Sequence, residues 1–267
     1  MEFTGTVAVV TGGGSGIGRA LATALAAAGA RVVVGDVDDA GAQETATRIR
    51  AAGGSVVAVR ADASSTSGIE AMRDAAVGEF GPVDIYVANA GIIGATGLGT
   101  EGDWDRILDI NLRAHIRAAE ILVPEWISRG SGYFVAVASA AGLLTQLGCA
   151  GYAVTKHAAV GFAEWLAITY GDDGIGVSCV CPLGVDTPLM ESVRAHAEPA
   201  ARLGAESVLH SGNVISPDEV AALTVEAVRA GRFLVLPHPQ VLEMYRHKGS
   251  DYDRWIAGMR RYQRSLG

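Results

Sequence analysis

The sequence has few cysteines, and they do not form the patterns that bind metals. Cys149, Cys179 and Cys181 are the three cysteines among 267 residues, and no Cys-x-x-Cys pair occurs. The six histidines are scattered, without a His-Glu-x-x-His motif. We therefore expect no metal site. The cysteines are interpreted as small buried apolar residues in a reducing compartment.

Long hydrophobic runs and an excess of basic charge are also missing. No stretch reaches the ~18 uninterrupted apolar residues of a membrane-spanning helix, and residues 1–4 lack the basic and apolar regions of a signal peptide. Lys and Arg number 21 against 29 Asp and Glu, a net charge of −8. An acidic chain repels phosphate backbones. We expect no membrane partner, no nucleic-acid partner and a cytoplasmic location.

Short apolar runs alternate with alanine-rich segments of helical character. The predicted strands are almost continuously apolar, as strands buried on both faces are: 7–10, 31–35, 55–60, 83–88, 133–138, 176–181 and 233–236. Predicted helices lie near 16–28, 38–52, 66–79, 101–129, 150–171 and 217–230. This alternation predicts a single α/β domain over 1–267. Its core would be a Rossmann-type doubly wound parallel sheet of about seven strands with helices on both faces.

Two segments fall outside the alternation. Residues 186–216 are interpreted as a helical insertion, and residues 237–267 as a C-terminal helical extension. The stretch from Glu243 to Arg264 contains six Lys or Arg residues and three acidic residues. The favoured interpretation of the extension is a solvated or subunit-contacting face. The alternative is that it covers a functional site.

A glycine-rich segment follows the first predicted strand and leads into a helix. It reads Thr-Gly-Gly-Gly-Ser-Gly-Ile-Gly over residues 11–18. Gly12 allows a sharp turn, Gly16 lets a pyrophosphate approach the backbone, and Gly18 lets the helix pack closely on the sheet. The free N–H groups of the helix N-terminus attract phosphates. With a strand before it and a helix after it, the segment predicts a dinucleotide-binding site.

An acidic residue ends the second predicted strand. The carboxylate of Asp36 can accept hydrogen bonds from the adenine-ribose hydroxyls and would repel a 2′-phosphate. Residues 37–39 contain no arginine, and position 14 is glycine. The sequence therefore favours NAD over NADP. A second role for Asp36, as a cap of the next helix, stays open.

Together with residues further along, the glycine pattern resembles the short-chain dehydrogenase/reductase family over roughly residues 5–236. The resemblance implies a catalytic set of Asn111, Ser139, Tyr152 and Lys156. The cofactor-binding residues that it implies lie in the glycine loop and after the strands: Gly12, Ser15, Gly16, Ile17, Gly18, Asp36, Val37, Asp62, Ala63, Asn89, Ala90, Gly91, Tyr152, Lys156, Pro182, Val185 and Thr187. Two positions depart from the family pattern: Ala88 stands for an asparagine, and Leu183 for a glycine after Pro182.

Tyr152 and Lys156 are four residues apart, so on a helix they share one face. A free tyrosine has a pKa near ~10, too high for a base at neutral pH. The neighbouring ammonium and the positive charge of the nicotinamide are expected to lower the pKa of Tyr152. The Ser139 hydroxyl can donate to the substrate oxygen. By resemblance, Asn111 holds a water that links Lys156 to solvent.

These residues predict an NAD(H)-dependent oxidoreductase that interconverts a hydrophobic secondary alcohol and its ketone, with Tyr152 as general acid/base. The resemblance also implies that the insertion at 186–216 is a substrate loop that lines the pocket. The expected pocket residues are mostly apolar: Ala141, Leu144, Gln146, Cys149, Leu183, Leu189 and Met190. A 3-oxoacyl-thioester reductase or a hydroxysteroid dehydrogenase is the alternative enzyme. An NAD-binding sensor or scaffold is the non-enzymatic alternative. The predicted helix at 150–171 is apolar on more than one face, and the resemblance implies a homotetramer, with a dimer as the alternative.

Overall fold

The computed structural model describes residues 1–195 and 198–266, and it centres on a seven-stranded parallel sheet. The strands follow each other in the sheet as β3-β2-β1-β4-β5-β6-β7. Their bounds are β1 Val7–Thr11, β2 Arg31–Asp36, β3 Val56–Arg60, β4 Ile85–Ala88, β5 Gly132–Val137, β6 Ile175–Val180 and β7 Leu234–Val235. The predicted fold class, a doubly wound parallel α/β sheet, is confirmed.

Eleven α-helices cover and extend the sheet within the described residues. They are α1 Gly16–Ala27, α2 Asp39–Ala51, α3 Thr66–Glu79, α4 Glu101–Leu108, α5 Ala114–Arg129, α6 Ala150–Tyr170, α7 Pro188–Ala195, α8 Pro199–Ser211, α9 Pro217–Ala230, α10 Gln240–Ser250 and α11 Tyr252–Leu266. The insertion at 186–216 contains α7 and α8, with residues 196 and 197 outside the described part. The extension at 237–267 contains α10 and α11, with Gly267 outside it.

The segment predicted as one long helix at 101–129 is helical throughout, but its α-helical hydrogen bonding is not continuous. A π-helical turn, Asp109–Arg113, separates α4 from α5. Such a turn widens the hydrogen-bonding pattern by one residue and changes the direction of the side chains that follow. Its buried residue is Asn111, whose amide bonds to the backbone of Ile92 on both sides. These bonds to Ile92 give a physical reason for the π-helical turn. The helical periodicity of the sequence could not predict them.

Apolar layers cover both faces of the sheet because alternate residues of each strand point to opposite sides. Val9 and Val33 belong to one buried cluster, together with Trp126 of α5. Val10 belongs to the other cluster, on the face covered by α1, α2 and α9. Burial on both faces explains why the strands have almost no polar residues.

The strand order reverses at β1, which pairs with β2 on one side and with β4 on the other. The chain leaves β1 and β4 in opposite directions, and a crevice opens at their carboxyl ends. The loops that follow β1, β4, β5 and β6 therefore meet at one edge of the sheet.

Among the residues that the structure describes, no helix combines the length and the hydrophobicity needed to cross a membrane. The same residues contain no group of three or more His, Cys, Asp or Glu side chains arranged to hold a metal ion.

Candidate active site

A cavity of about 1010 Å³ opens at the carboxyl edge of the sheet. It is at the upper end of the ~300–1,000 Å³ typical of small-molecule sites. Sixteen of the seventeen predicted cofactor-binding residues line it: Gly12, Ser15, Gly16, Ile17, Asp36, Val37, Asp62, Ala63, Asn89, Ala90, Gly91, Tyr152, Lys156, Pro182, Val185 and Thr187. Gly18 lies outside the lining and packs beneath the loop.

The glycine loop needs its glycines for two different reasons. Gly12 has a φ of 62°, in the left-handed region that lets the chain turn off β1. At Gly18, a Cβ would lie 2.0 Å from the Gly12 carbonyl oxygen, so only glycine lets α1 approach the loop. Ser15 precedes the first turn of α1, and its side chain makes no capping bond within the described chain. The Ser15 side chain therefore accepts no hydrogen bond from the free N–H groups of this turn.

Asp36 is held beside the glycine loop by two backbone N–H groups. Its Oδ2 accepts from Gly14 N at 2.9 Å, and its Oδ1 accepts from Asp38 N at 3.0 Å. The alternative role of Asp36 as the cap of the next helix is wrong, because α2 begins at Asp39 and its capping residue is Asp38. The carboxylate faces the cavity from the end of β2.

Asn89 and Thr11 fasten β4 to β1 at the reversal point. Asn89 Nδ2 donates to Thr11 O at 2.9 Å, and Asn89 N donates to Thr11 Oγ1 at 2.9 Å. Thr11 Oγ1 in turn donates to Val87 O at 3.1 Å. These bonds fix the carboxyl ends of β1 and β4 relative to each other, at the base of the crevice. Ala88, one of the two departures from the family pattern, is buried beside them.

Tyr152 and Lys156 lie on one face of α6, where both side chains are buried. Lys156 Nζ donates to Val137 O at 2.9 Å and lies 5.7 Å from the centre of the Tyr152 ring. The carbonyl of Val137 at the end of β5 therefore fixes the ammonium next to the phenol. Both groups line the cavity.

Burial governs the proton affinity of this pair. It lowers the pKa of Lys156 to about 8, because the charged form loses hydration. Burial also raises the pKa of Tyr152, and a hydrogen bond with Ser139 partly opposes the rise. The expectation of a lowered Tyr152 pKa is thus wrong for the protein alone, since the loss of hydration outweighs the stabilisation of the phenolate. The contribution of the nicotinamide charge stays a prediction.

Ser139 and Asn111, the other two residues of the predicted catalytic set, have different positions. Ser139 follows β5 and lines the cavity, where its Oγ accepts from Ala141 N at 3.1 Å. Asn111 is buried behind the cavity wall. Its Oδ1 accepts from Ile92 N at 2.9 Å, and its Nδ2 donates to Thr155 Oγ1 at 3.2 Å. Asn111 therefore joins the loop after β4 to α6, and its role towards a water stays a prediction.

Leu183, the other departure from the family pattern, lines the cavity through a turn that a buried histidine supports. Leu183 N donates to His238 Nδ1 at 3.1 Å. Because Nδ1 accepts, His238 Nε2 carries the proton, and it faces Gly184 O at 3.1 Å and Asn213 O at 3.0 Å. Sequence reasoning missed His238 because its partners lie 25 to 55 residues away.

All seven predicted substrate residues line the cavity: Ala141, Leu144, Gln146, Cys149, Leu183, Leu189 and Met190. The Gln146 amide is not free, because Nε2 donates to Leu147 O at 3.2 Å and to Gly204 O at 3.3 Å. It therefore ties this loop to α8.

Further lining residues come from α8, α10 and α11. Sequence reasoning expected the insertion that contains α8 to line the substrate pocket, but it named none of these residues. These residues are Gly204, Ala205, Ser207, Val208, His210, Ser211, Met244, Trp255, Met259 and Tyr262. The extension thus reaches the cavity, as the less favoured interpretation held, although most of α11 is exposed. The spacing of Trp255, Met259 and Tyr262 by four and three residues was the available signal, because it places them on one helix face.

Comparison with known proteins agrees with this geometry. A family model described as short chain dehydrogenase matches residues 6–198. A cyclohexanol dehydrogenase of Acinetobacter sp. (strain SE19) is 36% identical over 76% of this chain and 84% of its own. A 3beta-hydroxysteroid dehydrogenase 1 of Eggerthella lenta is 33% identical over 83% of this chain and 85% of its own.

The crystal structure of a short chain dehydrogenase/reductase from Burkholderia phymatum in complex with NAD superposes with a TM-score of 0.86. It is 32% identical and covers 95% of this chain and 96% of its own. The chain therefore belongs to the short-chain dehydrogenase family, as the resemblance in its sequence indicated, and is an oxidoreductase of that family.

Proposed function

We propose that this protein interconverts a hydrophobic secondary alcohol and its ketone with NAD(H), using Tyr152 as general acid/base. One observation carries the proposal. The Tyr152 phenol and the Lys156 ammonium line the same cavity as the glycine loop and the Asp36 carboxylate. A proton-transfer group and the residues that would bind a dinucleotide therefore share one cavity, in which a substrate could lie between them.

The dinucleotide part of the cavity fits NAD. The first turn of α1 offers N–H groups to a pyrophosphate, and a Cβ at Gly18 would push this turn away from the loop. Asp36 would accept hydrogen bonds from the ribose hydroxyls and repel a 2′-phosphate. Val37, Asp62 and Ala63 line the cavity next to this carboxylate, where the adenine would bind. The relative from Burkholderia phymatum, solved with NAD, supports this assignment.

The nicotinamide, held by Pro182, Val185 and Thr187, would supply the hydride acceptor or donor. The chain supplies proton transfer and alignment. In oxidation, Tyr152 Oη takes the hydroxyl proton, and in reduction it returns a proton to the carbonyl oxygen. The Ser139 hydroxyl donates to the same substrate oxygen and stabilises its developing charge. Lys156 stabilises the phenolate through its positive charge.

An apolar secondary alcohol fits the substrate end best. Leu144, Leu183, Leu189 and Met190 line it together with aromatic and sulfur-containing side chains of the extension. The Acinetobacter and Eggerthella relatives are named for a cyclohexanol and a 3beta-hydroxysteroid. A hydroxysteroid is the alternative substrate, because a cavity of about 1010 Å³ also admits a larger apolar alcohol. A 3-oxoacyl-thioester reductase remains the third enzyme activity to compare.

A homotetramer is the proposed assembly, with the outer face of α6 as one contact. Ile168 is 84% exposed, and Trp165 and Val154 on the same helix are 53% and 50% exposed. Such an apolar helix face is costly in water and favours burial against a second copy.

The first prediction tests the reaction. Tyr152→Phe removes the proton-transfer group and keeps the ring, so turnover should fall by at least about a thousandfold, while NADH binding changes little. The assay follows NADH in both directions with cyclohexanol, a 3β-hydroxysteroid, a β-ketoacyl thioester and simple ketones. Wild-type-like turnover in the variant would end the assignment. Failure of wild type to turn over any of these compounds, with NADH still bound, would favour a sensor or scaffold.

The second prediction tests the cofactor choice. Wild type should have a higher kcat/KM with NAD than with NADP, and Asp36→Ala should reduce this preference about tenfold or more, because it removes both the ribose acceptor and the repulsive charge. Asp39→Ala, an exposed acid at the start of α2, is the matched control. A wild-type preference for NADP would overturn the role of Asp36.

The third prediction tests the assembly. Sedimentation at micromolar concentration should give a tetramer for wild type, and Ile168→Glu should dissociate it because a charge is buried at the contact. Val77→Glu, a half-exposed residue of α3, is the control and should sediment like wild type. A monomeric wild type contradicts the proposal.

A further inference from the structure

A buried lysine outside the catalytic set joins the C-terminal extension to residues 143–147, called the substrate loop below. Lys248 of α10 is 5% exposed, although the sequence grouped it with the charges of a solvated face. Its Nζ donates to Leu143 O at 2.8 Å and to Leu144 O at 2.9 Å. Both carbonyls belong to the loop that follows Ser139, and Leu144 lines the cavity.

The third donor of this ammonium also has an acceptor. Lys248 Nζ lies 3.1 Å from His157 Nε2, and His157 Nδ1 lies 2.8 Å from Ala153 O. Because a carbonyl oxygen can only accept, Nδ1 must carry the ring proton, and Nε2 accepts from Lys248. The three N–H donors of the ammonium therefore bond to two loop carbonyls and to a side chain of α6.

Among the described residues, no carboxylate forms an ion pair with the Lys248 ammonium. The recorded ion pairs join other side chains. Burial lowers the pKa of Lys248, because the charged form loses hydration. A buried charge without a counter-ion is a poor source of stability. Its three directed bonds instead fix the relative position of α10, α6 and the substrate loop.

Lys248 also contacts Trp255, one of the three residues of α11 that line the cavity. Its Nζ lies 5.2 Å from the centre of the Trp255 ring, within the range of a cation–π interaction. Trp255, Met259 and Tyr262 form one wall of the cavity. Tyr262 Oη donates to Ser207 O at 3.1 Å, which fastens the far end of this wall to α8.

We propose that Lys248 is a positioning residue that holds the wall of Trp255, Met259 and Tyr262 against the substrate loop, and that this wall selects alcohols with a large apolar body. The selection rests on the proposed function. The large end of such an alcohol would lie against the wall while its carbinol carbon faces Tyr152. A small alcohol would react without touching the wall.

The positioning role is tested without turnover, by hydrogen exchange of the full chain. Lys248→Met keeps the apolar stem and removes the three donors. Amides in 143–147 and 252–262 should exchange about tenfold faster in this variant, and those of 12–20 should be unchanged. Arg246→Met, an exposed arginine on the same helix, is the matched control and should behave like wild type. Equal exchange in the two variants would overturn the positioning role.

The selection is tested by kinetics with cyclohexanol and with decahydro-2-naphthol, a fused-ring secondary alcohol. Lys248→Met should raise KM for the larger alcohol about tenfold, with KM for cyclohexanol and both kcat values within about twofold of wild type. Lys248→Arg keeps a cation that can donate to the loop carbonyls and should recover part of the loss. Trp255→Ala, which leaves the lysine contacts with the loop intact, should reproduce the selective rise in KM.

An equal rise in KM for the two alcohols would overturn the selection. Lack of turnover of either alcohol by wild type would instead overturn the proposed function, and the selection with it. The exchange measurement would still decide whether Lys248 positions the wall.

Discussion

The proposed chemistry of this protein depends on the burial of a phenol and an ammonium together at the edge of a sheet. Burial disfavours both charged forms, so it raises the pKa of Tyr152 and lowers that of Lys156 to about 8. The bond from Lys156 to Val137 O holds the ammonium in place despite this cost. In the proposed mechanism, a cationic nicotinamide bound beside this pair would offset the effect of burial, because an added positive charge favours the phenolate.

The remaining structure positions this pair. The reversal of strand order at β1 brings four loops to one edge, and the bonds between Thr11 and Asn89 fix that edge. The π-helical turn directs Asn111 inward, where its amide joins the loop after β4 to α6. Buried His238 holds the turn at Leu183, and Lys248 holds the loop after Ser139. Each of these side chains connects segments that are distant in the sequence.

The fold and the cofactor part of the cavity could be predicted because their signals are local. Apolar runs specify the strands, and the glycines at 12, 16 and 18 mark the turn that follows β1. The residues missed by sequence reasoning depend on distant partners. Lys248 bonds to carbonyls 105 and 104 residues away, and nothing in its neighbours distinguishes it from an exposed lysine. The π-helical turn between α4 and α5 likewise depends on the bonds of Asn111 with Ile92, and helical periodicity does not predict such bonds.

The pH dependence of kcat for alcohol oxidation tests most directly whether the Lys156 charge controls the ionisation of Tyr152. It is measured at saturating NAD in wild type and in Lys156→Met. In the proposed mechanism, oxidation requires the phenolate of Tyr152, so kcat should rise with pH in both proteins. The midpoint should lie at lower pH in wild type, because the Lys156 ammonium would stabilise the phenolate and the variant lacks this charge. Coincident midpoints in the two proteins would contradict the claim that the neighbouring charge controls the acid/base.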